Sequence, residues 1–361
     1  MSTGLERPDT NAELAATLPS VTTRVRQLPG WSPWGFLAAI SVVVGGGTLL
    51  LGHGVGLAVT LTAAVYAAAT YLASRVVEGP RKATDRLVTI LVTTAFLVAM
   101  APLVSVVVTV LANGIARFDV EFFTYSMRGV VGEGGGAYHA LLGTLIITTI
   151  AAVMSIPVGL LTAVYLVEYG RGKLARAITF FVDVMTGIPS IVAGLFAFAL
   201  FALFFGPGVR MGFMGSVALC VLMIPVVVRS TEEMLKIVPN ELREAAYALG
   251  VPKWRTITKV VIPTSVAGIA SGITLAIARV IGETAPLLIA VGITTGVNLN
   301  PFDGRMATLP VFSYYSYVAP GVPREPFIDR AWTAALVLII LVMALNLLAR
   351  LVARAFAPKT R

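Results

Sequence analysis

Long apolar runs alternate with short polar ones along this chain, and the runs are too long to be single faces of soluble helices. Eight stand out, at about residues 35–52, 55–74, 88–113, 139–167, 175–205, 211–228, 264–293 and 332–353. A helix needs roughly 20 mainly apolar residues to cross the hydrocarbon of a bilayer. Backbone groups in lipid must be satisfied within the spanning segment, which leaves helices and closed barrels. The runs lack the period-two alternation of barrel strands. The pattern therefore predicts an all-α integral membrane protein with eight spans. Only His53 and Gly54 separate the first two, so they form a tight hairpin.

Several polar segments qualify this picture. Residues 1–34 precede any apolar run and lack the basic start and short apolar stretch of a cleaved leader. They read as a cytoplasmic, disordered tail. The segment 229–263 is long and amphipathic, and 294–331 is long, aromatic and proline-bearing. The segment 114–138 contains Glu133-Gly134-Gly135-Gly136 and reads as flexible.

Composition agrees with the pattern. Of 361 residues, 57% are hydrophobic and only 12% charged, about half the charged share of a soluble domain. The net charge of +9 is spread over short loops, which argues for membrane topology and against nucleic acid. Basic loops mark the cytoplasmic side. With the N-terminus inside, 20 of the 27 Lys and Arg residues lie in inside segments and 6 in outside loops, with Arg279 within a span. Both termini are thus expected in the cytoplasm. Trp31 and Trp34 flank the first span as interface anchors, and His139, Glu168 and Tyr169 read as interfacial.

The residues of common catalytic chemistry are scarce. Cys220 is the single cysteine, and His53 and His139 are far apart, so neither a disulfide nor a metal cluster is expected. No Gly-x-x-x-x-Gly-Lys-Ser/Thr stretch is present to cradle ATP. No nucleophile–base set stands out. The chain is read as a non-enzyme that binds no cofactor itself, with any energy source on another chain.

The segment 229–263 carries the sharpest signal. Pro239 and Asn240 suit a helix start, Gly250 a stop, and Pro252 the first turn of a second helix. Pro263 marks re-entry to the membrane. Leu242, Ala245, Ala246 and Leu249 fall on one face, suited to a partner groove, with Glu241, Arg243 and Glu244 beside them. A surface helix lying on the bilayer is the alternative. The spacing Glu244-Ala245-Ala246, Gly250, Val260, Ile262-Pro263 resembles the coupling loop of ABC-importer permeases, although Val260 and Ile262 replace the commoner Ile and Leu. That resemblance implies an ATPase dock formed by Glu241, Glu244, Ala245, Ala246, Leu249, Gly250 and Pro263.

The resemblance extends to Gly143-Thr144-Leu145, Pro157-Val158-Gly159, the run from Gly187-Ile188-Pro189-Ser190 to Phe196, and Ala278-Arg279 through Leu288. These look most like the PstA-type permease of phosphate-specific importers. The likeness implies a six-helix type I (MetI-like) core over residues 80–355, preceded by an additional hairpin at 35–79 and followed by a cytoplasmic end at 356–361. The hairpin and the tail depart from the family's six-span pattern. The family implies a dimer of ATP-binding subunits with ATP and Mg, a second permease subunit forming a heterodimer, and an extracytoplasmic phosphate-binding protein. Alternatives are the PstC-type sister subunit, a permease for another oxyanion, and an ATP-independent secondary transporter. Against the last, no internal repeat is evident.

Asp183, Arg279 and Glu283 lie inside spans, well away from the span ends. Each costs about 2.5–3.5 kcal/mol at a bilayer centre on insertion scales. Arg279 and Glu283 are four residues apart, hence on one helix face. They are a mutually neutralising structural pair, or charges snorkelling towards the interface, or the lining of an anion pathway in which Arg binds oxygens and Glu limits the affinity. Asp183 is either a pathway residue or an acid bonded to a neighbouring hydroxyl or backbone group. Gly187, Pro189 and Ser190 are expected to kink their helix near the pathway, and Gly194 to allow close helix packing.

Overall fold

The computed structural model describes residues 28–356, and every regular element among them is helical. The expected tail and C-terminal end fall largely outside these residues. Among the described residues, seven helices are long and apolar enough to cross a membrane, or eight if one bent pair counts as a single span. The chain divides into two compact units, residues 1–106 and 107–361.

The first unit holds the hairpin. Helix α1, Ser32–Leu50, contains a π-helical turn at Ser41–Gly45 and leads to α2, Val55–Val77. The long helix α3, Pro80–Gly114, begins here and continues into the second unit. Between α2 and α3 lies the buried carboxylate of Glu78. It accepts hydrogen bonds from the Ser74 hydroxyl (2.7 Å), the Leu28 amide (2.9 Å) and Arg86 (2.8 Å). Burial pushes its pKa up, but these donors and the Arg86 charge outweigh it and hold the group below the ordinary carboxylate value.

In the second unit, α4 (Val120–Thr124) is followed by α5, Tyr138–Tyr169, which ends in a π-turn over Tyr165–Tyr169. The run 175–205 was expected as one kinked span. It is two helices, α6 (Lys173–Thr186) and α7 (Ser190–Phe205), bent by 109°. The physical reason lies in composition. Helix α6 is amphipathic, turning Ala175, Ile178 and Val182 inward while Phe180 and Phe181 stay exposed. Helix α7 is apolar throughout.

Helix α8, Gly212–Ile237, is the centre of the core. Its Met214, Leu219, Met223 and Val227 pack with Ile147 and Ala151 of α5, Ala193 and Ala197 of α7, and Ala276 and Val280 of α10. It runs well past the apolar limit near residue 228, because Glu232 pairs with both Arg229 and Lys236 (2.7 Å each) along the helix. Helix α9 covers Asn240–Ala248, and α10 covers Lys253–Ile281. Pro263 therefore does not start the membrane helix. It sits inside α10 directly after a π-turn, Ile257–Val261, an irregularity suited to a residue that cannot donate a backbone hydrogen bond.

The short helix α11, Ala285–Ala290, comes next, then α12, Leu309–Val318, and α13, Glu325–Phe356. The segment 294–331 is fastened onto α5. A Cβ at Gly143 would lie 2.0 Å from the Ala307 carbonyl oxygen, and the Leu309 amide donates to Thr144 Oγ1 at 2.8 Å. The glycine loop read as flexible is also tied down. Arg330 donates to the carbonyls of Gly132 (2.9 Å) and Gly134 (2.6 Å), Arg117 donates to that of Gly135 (3.0 Å), and Glu121 accepts from the Gly135 amide. Positive φ at Gly134 and Gly135 turns the carbonyls toward the guanidinium groups.

Candidate functional site

The two motifs expected to line the pathway meet in space. Pro189 caps α7 and Ser190 is its first residue, just beyond the bend at Gly187. One turn further on, Gly194 abuts the second motif. A Cβ there would stand 2.6 Å from the Pro286 Cα. The close approach requires glycine, and it presses the start of α7 against the start of α11.

The expected helix-face pair of Arg279 and Glu283 does not form. Helix α10 ends at Ile281 with Gly282 as its cap, so Arg279 lies in the last turn and Glu283 lies beyond it. The Glu283 amide bonds to the Val280 carbonyl (3.1 Å) as the chain turns toward Pro286. Proline at 286 cannot continue a helix through residue 282. Gly282 followed four residues later by Pro286 is a stop signal that the sequence already carried. Arg279 is exposed, Glu283 is half-buried, and neither side chain has an ion-pair partner among the described residues. Two opposite charges thus stand at a helix break, neither paired among the described residues.

Asp183 has a different fate. It pairs with Arg229 of α8, which also binds Glu232 at 2.7 Å, and Lys236 completes the row. Its carboxylate is engaged with a cation, not with a hydroxyl or the backbone, and it is not joined to Arg279. Arg229 was not singled out as a partner, since its contact with Asp183 spans 46 positions.

The predicted dock is a short helix, a turn and a second helix. Gly250 has φ of +76°, the left-handed value that favours glycine after a helix. Glu241, Glu244, Ala245, Leu249 and Gly250 are exposed, as are Leu242 and Pro263. Leu249, at the end of α9, is 83% exposed. Ala246 instead turns inward and is buried. Beneath the expected dock lie Glu168 and Tyr169, which the sequence placed only at the interface. Arg243 grips the Glu168 carboxylate with Nε (3.1 Å) and Nη2 (2.9 Å), and Lys253 donates to the Glu168 carbonyl while lying 4.7 Å from the centre of the Tyr169 ring.

Comparison with known proteins accords with this arrangement. The family described as binding-protein-dependent transport system inner membrane component matches residues 155–361, which hold both helix breaks and the dock. The chain belongs to that family. It is a multi-pass membrane permease subunit, and its fold is that of the type I ABC-importer permeases. Phosphate transport system permease protein PstA of Mycobacterium leprae (strain TN) is 50% identical over 272 residues, covering 74% of this chain and 88% of the relative. Phosphate transport system permease protein PstA 1 of Mycobacterium tuberculosis (strain ATCC 25618 / H37Rv) is 51% identical over 262 residues, covering 72% and 84%. A solved bacterial ABC transporter involved in import of the acidic polysaccharide alginate shares the fold. Its TM-score is 0.51 at 13% identity, over 75% of this chain and 96% of that one.

Proposed function

We propose that this permease is the PstA-type subunit of an ATP-driven importer that passes inorganic phosphate across the cytoplasmic membrane, with both termini inside. The single observation that carries the reading is Arg279, exposed in the last turn of a membrane helix with no ion-pair partner among the described residues. A charge that is expensive to insert persists where it meets a water-filled path or a partner. Guanidinium suits phosphate oxygens because it offers several donors in one plane. Glu283, beyond the helix end, weakens the hold on a passing anion. The PstA names of the relatives point to the same cargo.

The exposed dock calls for a separate ATPase, and the family supplies the rest of the expected assembly. Two ATP-binding subunits carrying ATP and Mg bind the loop, a second permease completes the pathway, and an extracytoplasmic phosphate-binding protein delivers the cargo. Closure of the ATPase pair moves α9, and α10 carries that movement without interruption from Lys253 to the break at Gly282. The helix bearing Arg279 is therefore the helix that leaves the dock.

Labelled phosphate uptake by the reconstituted assembly, with and without ATP, tests this reading. Uptake that persists without ATP would favour a secondary transporter. Uptake of another oxyanion in place of phosphate would reassign the cargo.

A further inference from the structure

We propose that Glu168 delivers movement of the docking loop into α5, giving the dock a second mechanical route besides α10. This rests on the docking role proposed above. The Glu168 side chain is 5% exposed and that of Arg243 12%. A carboxylate so enclosed is costly without a partner, and Arg243 supplies a two-nitrogen grip. Arg243 also donates to the Leu235 carbonyl at 3.0 Å and approaches Asn240 Oδ1 at 3.3 Å, so one guanidinium joins the end of α8, the start of α9 and the end of α5. Lys253, the first residue of α10, holds the Glu168 carbonyl from the other limb of the loop. Both limbs of the dock are anchored on one residue.

What Glu168 is attached to gives the anchor its consequence. It lies in the π-turn that closes α5, a helix of 32 residues and about 48 Å in length. At the far end of α5, Thr144 and Gly143 hold the segment that contains Ala307 and Leu309. Movement of α9 relative to α8 pulls on Glu168 through Arg243, and a continuous helix conveys the pull to that opposite segment. Glu168 is a positioning residue on this reading, since it touches neither cargo nor nucleotide.

The test uses the complete importer in proteoliposomes, with phosphate uptake and ATP hydrolysis measured side by side. Glu168→Gln removes the charge and keeps the shape. The expected result is an assembled complex that hydrolyses ATP but imports about tenfold less phosphate per ATP, with Glu168→Asp partly restoring the ratio. An unchanged ratio in Glu168→Gln overturns the proposal. If that variant does not assemble, Arg243→Lys, which keeps the charge but loses the two-nitrogen grip, carries the same test. A lowered ratio supports the anchor, and a wild-type ratio overturns it. Should the wild-type assembly itself fail to import phosphate, the cargo reading falls alone. The coupling is then read from hydrogen exchange of α5 with and without ATP. Glu168→Gln is expected to erase the nucleotide-dependent difference, and its survival would overturn the inference.

Discussion

Arg279 and Arg330 are the same residue near the ends of two apolar helices, and the protein treats them in opposite ways. Arg330 is fully buried, lies 4.5 Å from the Phe327 ring centre, and is bonded to two glycine carbonyls of a loop almost 200 positions away. Arg279 is exposed at the end of α10 and has no ion-pair partner among the described residues. Where the chain supplies acceptors, the guanidinium fastens a loop to a helix. At Arg279 none is supplied among the described residues, and the charge stays exposed. The contrast separates a guanidinium that fastens a loop from an exposed one of identical chemistry.

The largest expected effect is on transport. Arg279→Ala should lower ATP-driven phosphate uptake roughly 10- to 100-fold, the loss of one or two charge-assisted hydrogen bonds. Thermal stability and co-purification with the ATPase should stay at wild-type level, because the side chain has no ion-pair partner among the described residues. Uptake at the wild-type rate would end the contrast.

Arg330→Ala should do the reverse. It leaves the carbonyls of Gly132 and Gly134 without their donor and should cost about 1–3 kcal/mol of stability, read as a lowered melting temperature in detergent. Uptake per folded complex should change little. A stable variant that fails to transport would erase the distinction between the two arginines.

Glu283→Gln sharpens the comparison. With its neighbouring negative charge removed, Arg279 should hold the anion more tightly, and uptake should slow by up to about tenfold through delayed release. The effect should shrink at high salt if it is electrostatic.

The smallest effect concerns Glu78. Its folded pKa is depressed, so its contribution is fully present above the ordinary value of 4.5 and is lost as pH falls through the folded value. Glu78→Gln should flatten the acid limb of the stability profile of the purified protein and leave the profile at neutral pH parallel to wild type.

Much of the dock was legible because its signals are local. Pro239, Gly250 and Pro252 act on the backbone beside them, and the helix, turn and second helix follow. The Arg279–Glu283 pair was misread for a related reason: four-residue spacing implies contact only while the helix lasts, and Gly282 ends it. The partners of Asp183 and Glu168 were not legible, since each is met by a residue from a distant helix. Ala246 shows the same limit at one position. The periodicity assigned it to the exposed stripe, and packing turned it inward.

The sequence alone determined that the chain is a helical membrane protein and that its polar loop at 229–263 folds as a short helix, a turn and a second helix. These follow from runs of apolar residues, charge counts and backbone-breaking residues, which act over a few turns. Only the tertiary structure decided that the run at 173–205 is two helices bent by 109°, that Gly194 meets Pro286, and that Glu168 is held by both Arg243 and Lys253. Those depend on which surfaces close against each other. The same side chain, arginine above all, becomes a fastener or a free charge according to what the fold sets beside it.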